Sequence, residues 1–170
     1  MNNLYIDQFN FGIQNQQLNW IAKQALGTLT NDYHVAMFSH VPLVGDANPI
    51  DPITNIEVLK SIIKAFLNKT SGTFTFNATD FNASVTVNYS SRTQSNFIGL
   101  FGGHRHKKYL YFSDQLGGYT STVMDCAYVR VAENVGKVTD DTGCIPEFDT
   151  KNRTVNRLGF GRGNDLTYTY

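Results

Sequence analysis

The chain has 170 residues, only 16% of them charged, and a formal net charge of zero. Its length suits one domain with a genuine core, spanning 1–170, and the neutral balance excludes bulk attraction to a polyanion as the main source of affinity, so no broad nucleic-acid binding is expected. No apolar run approaches bilayer-spanning length, and "MNNLYIDQFNFG" lacks the basic-then-apolar layout of a secretory signal, so the expectation is a cytoplasmic protein that neither spans a membrane nor is exported.

In chain order, the first element is "NQQLNWIAKQAL", where Leu18, Ile21, Ala22, Ala25 and Leu26 make one apolar stripe. That spacing predicts a helix with Asn15 as N-cap and Gly27 as its stop. "YHVAMFSH" is a nearly continuous apolar run of strand length, the pattern of a strand buried on both faces in a parallel sheet. A loop with Pro42, Pro49 and Pro52 follows it. "TNIEVLKSIIKAFLNK" then places Ile56, Leu59, Ile62, Ile63, Phe66 and Leu67 at helical spacing, with Thr54 and Glu57 as a capping box.

Past Gly72 the texture becomes alternating β-branched and aromatic. "TFTFNATDFNASVTVNYS" predicts a hairpin turning within 77–82, with Phe74, Phe76, Val85 and Val87 in its strands. "FIGLFGG", "KKYLYFSD", "YTSTVMDCAYVRVA", "CIPEFD" and "TVNRLGFGRG" predict further strands, mostly antiparallel. Two cysteines, Cys126 and Cys144, are too few to staple such a domain and read as free thiols. The Asn-x-Ser/Thr triplets at Asn68, Asn77, Asn82, Asn88 and Asn152 arise readily by chance in a chain this rich in those residues.

Chemistry concentrates in the four histidines, His34, His40, His104 and His106. "MFSHVPL" puts His40 at the carboxyl end of one strand, and "GLFGGHRHKKY" puts His104 and His106 at the end of another, where open α/β sheets assemble ligand sites. On a regular strand His104 and His106 share a face, and Gly102 with Gly103 frees the backbone to turn. Imidazole serves zinc, iron, nickel and copper alike, so the cluster points to a metal. A solvated His-x-His turn explains that segment alone about as well. A ring bonded to a neighbouring carbonyl accounts for His40 taken singly, and a surface role for His34. Asp46 and Asp51 in "DANPIDP" are spare carboxylates or simply a solvated turn. Neither a Gly-x-Ser-x-Gly elbow nor a Gly-x-x-x-x-Gly-Lys-Ser/Thr phosphate loop occurs, and "GFGRG" does not open a helix.

Taken together, Ser39-His40-x-Pro42 followed by Gly103-His104-Arg105-His106 resembles the calcineurin-like metallophosphoesterases, in particular versions encoded by bacteriophages and their hosts. The segments "NQQLNWIAKQAL" and "NRTVNRLGFGRGNDLTYTY" are similar to the family's helix before the His-x-Pro strand and to its closing strand, so the resemblance spans nearly the whole chain. It implies an α+β fold, the carboxyl half of a metallophosphoesterase-type αββα sandwich with a mixed to antiparallel sheet and two main helices. It also implies hydrolysis of a phosphate ester with manganese, zinc or iron, His40 and His104 binding one metal and His106 the other.

The family's Asp-x-His, Gly-Asp and Gly-Asn-His-Glu/Asp motifs do not occur upstream of His40. The expectation is therefore a carboxyl-terminal portion whose imidazoles hold metal only weakly, with no catalytic residue of its own and no activity alone unless an amino-terminal half completes it. The strand "YHVAMFS" would then keep an unpaired edge, favouring pairing between copies. The competing expectation is a degenerate binding or assembly module, a homo-oligomer or a component of a phage particle.

Overall fold

The computed structural model describes residues 5–7, 10–43, 53–103, 109–111, 118–124, 136–137, 142–161 and 163–170. In chain order its elements are β1 (Tyr5–Asp7), β2 (Asn10–Gly12), α1 (Asn15–Trp20) continued by a π-helical turn (Ile21–Ala25), β3 (His34–Ser39) and α2 (Ile56–Asn68). They are followed by β4 (Ser71–Phe76), β5 (Ala83–Asn88), β6 (Asn96–Gly102), β7 (Tyr109–Tyr111), β8 (Ser121–Val123), β9 (Thr142–Asp149), β10 (Thr154–Gly161) and β11 (Leu166–Thr169). The fold is mixed α+β, with two α-helices and several sheets among the described residues. No helix among them is long and apolar enough to cross a membrane.

The chain divides into two compact units, one built from Met1–His34, Ala47–Phe97 and Leu116–Gly118, the other from Val35–Asp46, Ile98–Gln115 and Tyr119–Tyr170. In the first unit, α2 lies against both strands of the β4–β5 hairpin, and α1 with its π-helical turn lies against β5. The reason is pattern matching. Val58, Leu59, Ile62, Ile63, Ala65 and Phe66 form one buried stripe on α2, while β5 alternates strictly, burying Ala83, Val85 and Val87. Each large side chain so buried contributes about 1.5–3 kcal/mol. The hairpin is antiparallel with Phe74 opposite Val85, and it turns between 76 and 83, where the sequence places the turn.

Helix caps differ from expectation, and the cause is tertiary. α1 starts after Gln14, whose backbone N–H donates to Gln17 Oε1 at 3.2 Å. Asn15, expected as the cap, accepts from the Ser84 N–H instead, and Asn19 one turn on donates to the Ser84 carbonyl, so two asparagine side chains serve the edge of β5 as a strand would. α2 starts after Asn55, not Thr54. Asn55 is fully buried; its Oδ1 accepts from Ile13 N–H at 2.9 Å, and its Nδ2 donates to the carbonyls of Ile13 and Phe81. Phe81 holds a left-handed φ of 58°, and its ring sits where a Cβ on Gly12 would fall. Strain of that kind persists only where the surroundings over-determine it. Here Asn55 and the side-chain-free Gly12 do so.

The second unit contains most of a four-stranded sheet in the order β3-β6-β8-β7 and a three-stranded sheet in the order β11-β10-β9. β6 and β8 run parallel, with Leu100 opposite Ser121, whereas β7 is antiparallel to β8 and β9-β10-β11 is antiparallel throughout. Ile98, Phe101, Val155 and Tyr168 form its buried core, and Tyr168 Oη shares a 3.1 Å hydrogen bond with Thr122 Oγ1.

Candidate functional site at the strand ends

β3 lies beside β6, and the two run in the same direction: the Phe38 ring stacks on Phe101 at 5.0 Å, and farther along Gly103 N–H donates to the His40 carbonyl at 3.0 Å. With β8 parallel to β6 as well, three carboxyl strand ends share one rim. On that rim Met124 N–H donates to the Gly102 carbonyl at 2.7 Å, so the end of β6 is held on one side by the turn after β3 and on the other by the end of β8. A parallel sheet aligns strand ends in this way because its connections return the chain to the same starting edge, and such rims are where open sheets bind ligands.

The rim brings together the two segments that carry the histidine motifs. His40 is exposed there, and the residue hydrogen-bonded to its carbonyl, Gly103, is the one that precedes His104 in sequence. His104, Arg105 and His106 themselves lie outside the described residues, as do Asp46, Asp51 and Cys126. Next to His40, the buried Ser39 Oγ has no hydrogen-bond partner among the described residues. His34 starts β3 and is half-buried, at the opposite end of that strand from His40. Cys144 is a half-buried thiol on β9.

Two glycines that the sequence suggests as a flexible turn do something else. Gly102 closes β6, and neither it nor Gly103 has a positive φ. A Cβ on Gly102 would lie 2.7 Å from Pro42 Cα and 3.1 Å from Pro42 N, whereas one on Gly103 would meet only the His40 carbonyl oxygen, at 3.6 Å. The missing side chain at 102 therefore permits backbone to rest on backbone. Sequence reasoning missed this contact, because Pro42 and Gly102 lie far apart in the chain and no local pattern links them.

The expectation that β3 is buried on both faces is corrected. Phe38 is 52% exposed, and the other residues of β3 are only partly covered. β3 is the terminal strand of its sheet among the described residues, which explains why an almost wholly apolar run reaches solvent. No three of His, Cys, Asp and Glu come together among the described residues. Of the expected ligands those residues include His40 alone.

The chain matches no protein-family model, no curated protein and no solved structure. What can be said of its chemistry comes from the rim.

Proposed function

We propose that the rim is the histidine half of a phosphoesterase metal site, with His40 and His104 addressed to one divalent cation and His106 to a second. The observation that carries this reading is the hydrogen bond from Gly103 N–H to the His40 carbonyl, which joins the two motif-bearing segments. Supporting it, Ser39 Oγ is a buried polar atom that finds no partner among the described residues beside the proposed ligand. Manganese, zinc or iron bound there would act as a Lewis acid toward the phosphoryl oxygens of a phosphate ester. This chain's own part is to supply imidazole donors from two segments that meet at a strand-end rim.

Three imidazoles bring no negative charge, and two dications a few ångströms apart repel each other strongly without a carboxylate between them. The chain alone is thus expected to take up one metal weakly and to hydrolyse a chromogenic phosphodiester no faster than the free metal does. Metal titration by calorimetry with a parallel rate assay tests this. Uptake of two metals with turnover that His104→Ala abolishes would contradict the incomplete-site reading.

A non-catalytic binding or assembly module is the second reading. It is favoured by Ile145 and Leu158, opposite one another on β9 and β10, and Phe160, all about half exposed or more. Sedimentation separates the readings: a stable oligomer without metal uptake supports assembly, and a monomer that binds metal supports the half-site.

A further inference from the structure

We infer that Arg157 anchors a binding site for a small oxyanion, a phosphate or carboxylate group, on the core-facing side of the β9–β10–β11 sheet. The inference does not rest on the metal reading. β10 alternates, and Arg157 falls on the same face as Val155, the face that carries the buried core. Arg157 is only 7% exposed, and its partners across the strands are Leu166 on β11 and Pro146 on β9, whose side chains accept no hydrogen bond. The described carboxylates on β9 and just before β11 are engaged elsewhere. Glu147 accepts from Asn156 Nδ2 at 3.0 Å, Asp149 from Asn152, and Asp165 from Gly159 N–H at 2.8 Å. A guanidinium cannot shed its proton as a buried lysine or carboxyl can adjust, and a buried charge without a counter-ion is strongly destabilising. With no carboxylate on it among the described residues, its charge is met by an anion from solution. The setting suits one. Tyr168 Oη and Thr122 Oγ1 share a hydrogen bond on one side of Arg157; burial raises the Tyr168 pKa, and the bond to Thr122 and the Arg157 cation draw it back. On the other side along the sheet, the buried Thr142 Oγ1 has no hydrogen-bond partner among the described residues. The planar guanidinium fork matches two oxygens of a phosphate or carboxylate at once.

The test titrates the full chain with inorganic phosphate and, separately, with acetate, replacing chloride so that ionic strength stays fixed. The Arg157 Nε–H resonance, followed by NMR, should shift and saturate with one or both ions, and the tighter ion assigns the site to a phosphoryl or a carboxyl group. At ten times its dissociation constant that ion should raise the melting temperature by about 3–6 °C. Arg157→Met keeps an apolar stem and removes the charge, so it should melt no lower than the wild type in chloride alone and show no anion-dependent rise. An Arg157 resonance that neither ion moves overturns the site, as does an Arg157→Met chain with the same anion-dependent rise as the wild type. An Arg157→Met chain that folds but melts far below the wild type in chloride shows a charge already met within the protein and also overturns it. Where the variant does not fold, the wild-type resonance titration decides alone.

Discussion

The clasp formed by Gly12, Phe81 and Asn55 in the first unit and the contact of Gly102, Pro42 and His40 in the second use the same packing device. In each, a glycine lets another segment approach to a distance no side chain would allow. They differ in what the neighbouring polar residue does. Asn55 is fully buried, and its amide is engaged on both sides by backbone groups of two other segments. His40 contributes its backbone to the contact and leaves its side chain at the surface. A polar side chain spent on backbone hydrogen bonds stabilises the first contact; at the second it is the backbone of His40 that accepts the hydrogen bond. One contact is closed by a polar side chain and the other by backbone alone.

That distinction breaks if the two residues respond alike to substitution. Asn55→Ala should cost the most, about 3 kcal/mol in urea denaturation, because it strands a buried N–H and buried carbonyls together. Tyr168→Phe removes the hydrogen bond to Thr122 beneath the second unit's rim and should cost about 1 kcal/mol by the same measurement. His40→Ala should change stability by no more than roughly 0.5 kcal/mol, as expected of an exposed position, yet lower cobalt affinity about tenfold. A large stability loss there would place His40 with Asn55 and erase the contrast.

The smallest effect concerns acid. Asp149 ends β9 just before the turn into β10, and the backbone and side-chain N–H groups of Asn152 donate to its carboxylate and hold its pKa below the ordinary value of 3.8. A carboxyl whose folded pKa is depressed contributes stability that is present above its unfolded pKa and lost as pH falls through the folded one. Melting temperatures followed from pH 5 to pH 2, a range of about three units around the ordinary carboxylate value, should therefore show a small acid loss that Asp149→Ala removes. Persistence of the same loss in the variant would assign it to other groups.

Much of this was legible in the sequence where one period dominates. The helical stripe from Ile56 and the alternation around Val85 each match an element, because burial of one face decides the local structure. The caps differ from Asn15 and Thr54 because a cap read from sequence treats each polar side chain as a local signal. In the fold, Asn15 serves a strand edge far along the chain, and Asn55 is the buried clasp. The π-helical turn at Ile21–Ala25 leaves no residue pattern that separates it from ordinary helix. At the rim, the motifs were visible as strand ends, but the direction of β3 relative to β6 is a long-range pairing that no local pattern encodes. Gly102 with Gly103 suggests a backbone free to turn; the use of Gly102 is close approach, which depends on a partner that the sequence does not point to.

The most direct test of the shared rim is manganese(II) titration of the chain with the histidine rings followed by NMR. Paramagnetic broadening falls so steeply with distance that it reports which rings lie beside one ion. The account expects the rings of His40, His104 and His106 to broaden together at the same low manganese level, with His34 at the far end of β3 staying sharp. Broadening of His104 and His106 while His40 remains as sharp as His34 would contradict it.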